Sequence, residues 1–361
     1  MNKIYFLIGA IPPQTGGELY NYKLSKYLEA EGFEIECISL HKRLEIRLSR
    51  IPFFGNLLAN VALACWLYKC QGTLVEDHYF TQYLIFTNII QFFIKRGKTI
   101  VLVHFLYGYD TNDNFLIRKY WNKLNHKIRL SLADMIITNS NYSQQEIVSL
   151  GINRTSVHVL PPGINREKLK IMPFIDEREN CQILCVANYV SRKGLIYLIE
   201  AFSQTHRKEF TLHLVGNPQK SINYFHKLEK FVNELNLNKD IFFHDGSDKD
   251  LLCQLYSQAK IFVLPSINET FGIVLIEAMY YGLPIITTNV AAIPELITDG
   301  ENGLLVPPAN SSALAEALSK LIENPELRTK MGEMGQKRVA NSYYWEQSFG
   351  GFIDILQKFD C

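Results

Sequence analysis

The chain has 361 residues and 47% of them are hydrophobic, which is enough to bury the cores of two domains and excludes a largely disordered protein. The formal net charge is only +1, although residues 1–165 contain 17 Lys and Arg against 12 Asp and Glu. This basic excess is too mild to indicate nucleic-acid binding, and no nucleic-acid-binding motif is present. It would suit an anionic membrane or an acidic acceptor as a partner.

The seven cysteines lie mostly inside apolar runs and show no paired two-residue spacing. They predict small buried hydrophobic residues in a reducing cytosol, with no disulfide framework and no zinc site. The apolar run Ile4–Ile11 imitates a signal peptide, but Pro12 and Pro13 follow where a small-residue cleavage site should lie. We therefore predict a buried first strand, no export and a cytoplasmic location.

Strand-like and helix-like segments alternate along the whole chain. The predicted strands of the first half are Lys3–Ala10, Glu34–Leu40, Gly72–Glu76, Thr99–His104 and Met135–Thr138, with helices at Gly17–Glu31 and Asn141–Leu150 between them. A second series of strands is predicted at Gln182–Ala187, Thr211–Val215, Ile241–His244, Ile261–Leu264, Ile285–Thr288 and Gly303–Val306. This alternation predicts an α/β fold with two Rossmann-like, doubly wound parallel sheets.

A polar stretch over residues 166–180 follows Pro161-Pro162-Gly163 and predicts a linker. We therefore place a first domain at residues 1–165 and a second at 166–340. The tail from Asn341 to Lys358 carries aromatic and apolar residues at helical spacing and predicts a terminal helix.

Two glutamates follow the predicted strand Ile261–Leu264. Glu269 lies in the turn after the strand, and Glu277 lies in the predicted helix Gly272–Tyr281. Ligands bind at the carboxyl ends of parallel strands, where helix N termini attract anions, and Gly272 has no Cβ to keep a phosphate from the backbone. Glu277 is the only charge in an apolar helix, so ligand hydroxyls are expected donors for it. The alternative is structural, with Glu269 as a helix cap and Glu277 in an ion pair.

The segment from Val263 to Leu305 resembles the nucleotide-sugar glycosyltransferases of the GT-B fold, and within them the retaining group called glycosyltransferase family 4. The two glutamates are followed in the family's order by Ala278-Met279, Gly282-Leu283-Pro284, Pro294-Glu295 and the run from Asp299 to Pro308. The resemblance covers nearly the whole chain. It implies two Rossmann-like domains facing a cleft, with the acceptor bound by the first and the nucleotide sugar by the second. The last helix, residues 341–361, would return to the N-terminal domain.

The resemblance also implies roles for individual residues. It gives catalytic roles to Glu269 on the donor-sugar hydroxyls, Lys193 on the diphosphate and His104 on the sugar. Asn188 departs from the family pattern, which has an Arg there, and Arg192 is the candidate replacement. The other implied donor-binding residues are Gly16, Gly17, Gly216, Gly246, Thr270, Phe271, Gly272, Ile273 and Glu277, with Glu277 on the ribose. Asn139-Ser140 and Gly163 match positions that line the family's cleft.

The implied activity is retaining transfer of a sugar, with a hexose expected, from a nucleotide-diphosphate sugar to a glycan or lipid-linked acceptor. Cell-envelope polysaccharide or glycolipid synthesis is the implied setting. No metal-ligand cluster is seen, and the family uses neither a metal nor a cofactor. In the implied one-face mechanism, the leaving diphosphate takes the acceptor's proton and the new bond forms on the side that it vacates.

Two basic and apolar segments, His41–Phe54 and Arg118–Lys123, predict peripheral contact with an anionic membrane, at the inner face of the plasma membrane. Solvated faces of ordinary helices explain them equally well. The alternative function is a noncatalytic nucleotide-sugar-binding or scaffold protein, which Asn188 suggests. A glycogen-phosphorylase-like enzyme would need a pyridoxal lysine and a far longer chain.

Overall fold

The computed structural model describes residues 3–8, 16–39, 72–78, 89, 97–106, 116–165, 181–205 and 210–360. The chain divides into two compact units, one made of Met1–Pro162 with Ser348–Cys361 and the other of Gly163–Gln347. The predicted linker over residues 166–180 and the basic segment His41–Phe54 lie outside the described residues.

The first unit contains a parallel sheet of six strands in the order β2-β1-β3-β4-β5-β6. Its elements are β1 Ile4–Ile8, α1 Gly16–Ala30, β2 Ile35–Ser39, β3 Thr73–Asp77, β4 Lys98–Val103, α2 Leu116–Ser131, β5 Met135–Thr138, α3 Asn141–Ser149 and β6 Val157–Val159. Strands β3 and β5 are buried at every position, as is typical of parallel strands covered on both faces. Strand β3 is buried even though it ends in Glu76 and Asp77.

The second unit contains a parallel sheet of six strands in the order β12-β11-β10-β7-β8-β9. Its elements are β7 Cys181–Val186, α4 Leu195–Gln204, β8 Phe210–Gly216, α5 Ile222–Glu234, β9 Ile241–Asp245, α6 Lys249–Gln258, β10 Ala259–Leu264, α7 Ile273–Tyr280, β11 Ile285–Thr288, α8 Ile293–Leu296, β12 Gly303–Val306, α9 Ser311–Ile322 and α10 Pro325–Ser342. The chain runs outward from β7 to β9 and then crosses back to β10 on the other side of β7. The strand order therefore reverses between β7 and β10, and such a switch point opens a crevice at the carboxyl ends of the strands.

The predicted tail helix is interrupted near its start. Residues Asn341 and Ser342 end α10, and a new helix, α11, runs from Trp345 to Asp360. Between them Tyr344 forms an isolated β-bridge with Ile164, whose backbone N–H donates to the Tyr343 carbonyl at 2.9 Å. The prediction of one helix from Asn341 was wrong because helical spacing carries no signal for this tertiary pairing.

The residues of α11 from Ser348 onward belong to the first unit. The Phe349 ring lies edge-on to Tyr20 of α1, with 5.5 Å between the ring centroids, and contacts Tyr27 at 5.4 Å. Phe349 and Phe352 are fully buried. The apolar residues whose spacing predicts a terminal helix therefore form the buried face of α11.

The predicted fold class, α/β with two Rossmann-like parallel sheets, is confirmed. All eleven predicted strands are present, and three of them, Met135–Thr138, Ile285–Thr288 and Gly303–Val306, have the predicted bounds. The short strand β6 was missed because three residues give no periodic pattern.

Candidate active site

The switch point of the second sheet brings Lys193 and Glu269 together. Lys193 follows β7 and Glu269 follows β10, and the Lys193 Nζ atom forms an ion pair with Glu269 Oε2. The two side chains are only 13% and 8% exposed. Two residues predicted separately from the sequence are thus direct partners in the folded unit.

The loops that carry these two side chains are joined by backbone contacts. Residues Ser191–Lys193 form a single 3-10 turn, which ends at Gly194 with a left-handed φ of 67°. A Cβ atom on Gly194 would lie 2.0 Å from the Pro265 carbonyl oxygen, so no other residue fits there. The Ile267 backbone N–H donates to the Arg192 carbonyl at 2.8 Å. Lys193 is therefore held against the loop after β10 by the main chain itself.

The charge state of Glu269 follows from its surroundings. Burial alone favours the neutral acid, but the charge of Lys193 and its hydrogen bond outweigh that effect, so the pKa of Glu269 is lowered. The charge of Arg192 and the backbone N–H of Phe271 act in the same direction. The Ser266 hydroxyl also lies 3.5 Å from Glu269 Oε2. The site thus holds an ionised carboxylate against an ammonium group.

Helix α7 begins at Ile273, shortly after Glu269, and Gly272 is its N-cap residue. Gly272 has a φ of 85°, and a Cβ atom there would lie 3.4 Å from Glu269 Cγ and 3.0 Å from Leu275 Cδ1. Backbone N–H groups at the start of a helix attract anions, and in α7 the Leu275 N–H donates to the Gly272 carbonyl at 2.9 Å. Phe271 is buried, while Thr270 and Ile273 are half-buried. This N terminus places an anion-binding end beside the Lys193–Glu269 pair.

Glu277 is half-buried, although its neighbours Ile276 and Ala278 are fully buried. The Tyr256 hydroxyl donates to Glu277 Oε2 at 3.0 Å. The Tyr256 ring is itself buried and stacks on Tyr281, with 5.1 Å between centroids. Tyr256 lies on α6, far from Glu277 in sequence, so no motif pointed to it.

Two glycines lie together at the ends of β8 and β9. A Cβ atom on Gly216 would lie 2.2 Å from the Ala187 carbonyl oxygen, and the Gly246 N–H donates to the Gly216 carbonyl at 3.1 Å. Asn188 and Arg192 are both exposed after β7. The structure therefore gathers the predicted donor-binding residues of the second unit at the carboxyl ends of β7 to β10.

In the first unit, His104 follows β4 and lies against the start of α1. A Cβ atom on Gly17 would lie 2.8 Å from His104 Cδ2, so a residue larger than glycine would collide with the ring. Gly16 is the first residue of the same helix. Burial lowers the pKa of His104, and the charge of Asp77 opposes that shift only partly. The imidazole is therefore neutral at neutral pH.

His104 contacts two polar residues, Asn21 and Asn139, and Asn21 in turn contacts Asp77. The His104 Nε2 atom lies 2.8 Å from Asn21 Oδ1, and Asn21 Nδ2 donates to Asp77 Oδ2 at 2.7 Å. The Asn139 amide donates to the His104 carbonyl oxygen at 3.2 Å, which places one of the two predicted residues after β5 beside His104. Sequence reasoning missed Asn21 and Asp77. A signal existed for Asp77, which ends a buried strand at the carboxyl edge of the sheet.

Within the described ranges, no helix is long and apolar enough to cross a membrane. In that same part of the chain, no group of three or more His, Cys, Asp and Glu side chains is arranged to hold a metal ion. The basic segment Arg118–Lys123 lies in α2.

Two family models match this chain. The model "Glycosyltransferase Family 4" matches residues 15–168, and the model "Glycosyl transferases group 1" matches residues 166–338. Among curated proteins, an uncharacterized glycosyltransferase of Methanocaldococcus jannaschii is 31% identical over 175 residues. That match covers 48% of this chain and 47% of the relative, so the chain spans about half the relative's length.

Solved structures match over nearly the full chain. The sucrose-phosphate synthase of Thermosynechococcus elongatus has a TM-score of 0.81 at 21% identity, covering 99% of both chains. The Anabaena protein HepE, solved in complex with UDP and glucose, has a TM-score of 0.78 at 19% identity, covering 99% of this chain and 100% of the other. At these identities the likeness shows the fold.

Proposed function

The chain belongs to the group 1 glycosyltransferases, and on that basis we propose that it is a retaining hexosyltransferase. It transfers a hexose from a nucleoside-diphosphate sugar to a glycan or lipid-linked acceptor in cell-envelope polysaccharide or glycolipid synthesis. The proposed reaction needs no metal and no cofactor. The proposed location is cytoplasmic, with peripheral contact at the inner face of the plasma membrane.

The observation that carries this proposal is the buried Lys193–Glu269 ion pair at the switch point. A lysine ammonium has three N–H donors, so Lys193 can keep Glu269 and still donate to a phosphate oxygen. The negative charge on the leaving diphosphate grows as the glycosidic bond breaks, and a fixed cation beside it stabilises the transition state more than the ground state. The N terminus of α7 adds partial positive charge at the same place.

In the proposal, Glu269 accepts hydrogen bonds from hydroxyls of the donor sugar, and Glu277 accepts them from hydroxyls of the ribose. An ionised carboxylate accepts stronger hydrogen bonds than a neutral group does. The Tyr256 hydroxyl supports the role of Glu277 because it fixes the orientation of the carboxylate. Lys193 supports the role of Glu269 because it keeps that carboxylate ionised despite burial.

The proposed reaction occurs on one face of the sugar. The bond from C1 to the diphosphate oxygen breaks, the acceptor hydroxyl oxygen bonds C1 from the same side, and the acceptor's proton passes to the leaving phosphate oxygen. The pairing of Glu269 with Lys193 supports this scheme, because a carboxylate engaged by an ammonium is a weaker nucleophile and base. Retaining glycosidases instead use two carboxyls about 5–5.5 Å apart.

A two-part experiment tests the function. First, melting temperatures are measured with UDP, GDP and ADP, since a ligand at a hundred times its Kd stabilises the folded state by about 2.7 kcal/mol. Second, the nucleotide sugar of the base that binds is incubated with acceptors or water, and proton NMR records the anomer formed first. No stabilisation by any nucleotide would overturn the proposal. Binding without turnover would favour the noncatalytic alternative that Asn188 suggests, and an inverted product would overturn the retaining mechanism.

A further inference from the structure

A hydrogen-bonded chain runs from the buried side chains of Asp77 and Asn21 to the half-buried His104. Asp77 closes β3, Asn21 lies on the second turn of α1, and His104 follows β4. The Asp77 Oδ2 to Asn21 Nδ2 distance is 2.7 Å, and the Asn21 Oδ1 to His104 Nε2 distance is 2.8 Å. Asn21 is 2% exposed and Asp77 is 7% exposed. Three separate elements thus converge on one imidazole.

The order of these groups determines which imidazole nitrogen carries the proton. A carboxylate only accepts hydrogen bonds, so Asn21 must turn its NH₂ group toward Asp77. The Asn21 carbonyl oxygen then faces His104, and an oxygen can only accept, so His104 Nε2 must be the donor. In a neutral imidazole this leaves Nδ1 with a lone pair and no proton.

The rest of the ring's surroundings leave Nδ1 available. Gly17 lies against the Cδ2 side of the ring, and Tyr20 lies edge-on with 5.1 Å between ring centroids. The Asn139 side chain holds the His104 backbone carbonyl rather than the ring. Among the residues that the structure describes, Nδ1 has no hydrogen-bond partner.

We propose that Asn21 and Asp77 are positioning residues that hold His104 as the Nε2–H tautomer, so that Nδ1 accepts a hydrogen bond from a sugar hydroxyl. The identity of the ligand rests on the proposed function. The tautomer rests only on the contacts within the first unit. Removing the charge of Asp77 while keeping its shape should release this control, because an amide at position 77 can either donate to Asn21 or accept from it.

The test compares Asp77→Asn with Asp134→Asn in the full chain. Asp134 is the control because it lies in the same unit and its carboxylate accepts the Thr99 backbone N–H at 2.8 Å, with no bond to His104 among the residues that the structure describes. Long-range ¹H–¹⁵N correlation spectra without substrate report the tautomer of each of the nine histidines, and the His104 signals are those lost in His104→Asn. Turnover of the nucleotide sugar and the Kd for its nucleoside diphosphate are measured for the same proteins.

We expect a single Nε2–H tautomer for His104 in the wild type and in Asp134→Asn, and a mixture in Asp77→Asn. Turnover should fall about tenfold in Asp77→Asn alone, as when a histidine loses its orienting partner, with an unchanged nucleotide Kd. If Asp77→Asn does not fold, Asn21→Ala removes the acceptor for Nε2 and should give the same mixture.

Three results would overturn the proposal. One is a wild-type His104 that is protonated on Nδ1 or is mixed. Another is equal turnover in the two Asp→Asn variants. The third is a wild-type protein with a locked tautomer that neither transfers nor hydrolyses any nucleotide sugar. That third result would also reject the proposed function while leaving the tautomer assignment intact, so the two failures are distinguishable.

Discussion

At the scale of single residues, Lys193 and Glu269 form an ion pair with each other, and each also has its own proposed role toward the donor. Each side chain balances the other's charge in a buried site, and Lys193 keeps the Glu269 carboxylate ionised there. In the proposed function, a bound diphosphate would add negative charge beside Lys193 and so weaken its attraction to Glu269. The two members of the pair have different proposed roles and should not be equivalent under mutation.

We predict that Lys193→Ala destabilises the protein more than Glu269→Gln does. Losing Lys193 leaves a buried carboxylate without its counter-charge, which typically costs about 3–5 kcal/mol. An amide at position 269 can still accept a hydrogen bond from Lys193, so its cost is smaller. Urea unfolding measures both, and Lys26→Ala is the control. It breaks the exposed Lys26–Glu29 pair, with an N–O distance of 2.6 Å, and should cost less than about 1 kcal/mol.

The same ion pair predicts how the destabilisation by Lys193→Ala depends on pH. In the wild type the pKa of Glu269 is lowered, so its stabilising contribution is present above its unfolded pKa and is lost as the pH falls through the lower folded value. In Lys193→Ala, burial is opposed only by the charge of Arg192 and the Phe271 N–H, so the pKa of Glu269 is higher than in the wild type and the variant gains relative stability as Glu269 takes up a proton. The difference in unfolding free energy between the wild type and Lys193→Ala should therefore shrink from pH 7 to pH 4. A constant or growing difference would contradict this account.

At the scale of elements, the glycines that begin α4 and α7 set the geometry of the site. Gly194 lets the turn bearing Lys193 approach the Pro265 carbonyl, and Gly272 takes a left-handed φ directly after the segment bearing Glu269. Neither demand could be met by a residue with a side chain at low cost. The two helix starts therefore hold the ion pair more firmly than the side chains alone would.

We predict that Gly272→Ala lowers turnover about tenfold, because its methyl group would lie against Glu269 Cγ and Leu275 Cδ1, and small displacements of catalytic groups are costly. Gly300→Ala is the matched control. Gly300 also has a left-handed φ, of 76°, but a Cβ there would meet nothing within 4 Å. Both changes should cost roughly 1–2 kcal/mol of stability from backbone strain. Equal turnover in the two variants would show that the space beside Glu269 is unimportant.

The sequence predicted elements better than it predicted side-chain partners, for a physical reason. The residues Ile261–Leu264 of β10 form a continuous, buried apolar run, so their composition alone reveals the strand. The donor to Glu277 comes from Tyr256 on another helix, and the partner of His104 comes from Asn21 across the sheet edge. Such contacts depend on how elements pack, and no spacing in a single sequence encodes them. Lys193 and Glu269 were predicted as site residues because each lies in a family motif, but the ion pair between them was not predicted.

At the scale of the whole molecule, the two units repeat one architecture. Each has a six-stranded parallel sheet, and in each the strand order reverses once, beside β1 in the first sheet and beside β7 in the second. Polar residues gather at the carboxyl ends of both sheets, with His104, Asn21 and Asp77 in one and Lys193 and Glu269 in the other. The cationic residue and the helix N terminus suited to a diphosphate both belong to the second unit.

Because the proposed diphosphate-binding residues all lie in the second unit, we can predict which residues a nucleotide alone protects from amide exchange in the intact chain. UDP, or whichever diphosphate raises the melting temperature, should slow amide hydrogen exchange in residues 190–196 and 266–277, which contain Lys193, Glu269 and Glu277. At a hundred times its Kd, the slowing should reach about hundredfold where exchange requires the site to open. Helix α9 of the same unit, which contributes no predicted site residue, is the internal control, and α3 is the control in the first unit. Mass spectrometry of exchanged peptides measures all four regions in one sample. Protection centred on α3, or spread evenly over α9, would mean that the diphosphate does not bind at the Lys193–Glu269 pair, because binding there must first restrict the loops after β7 and β10.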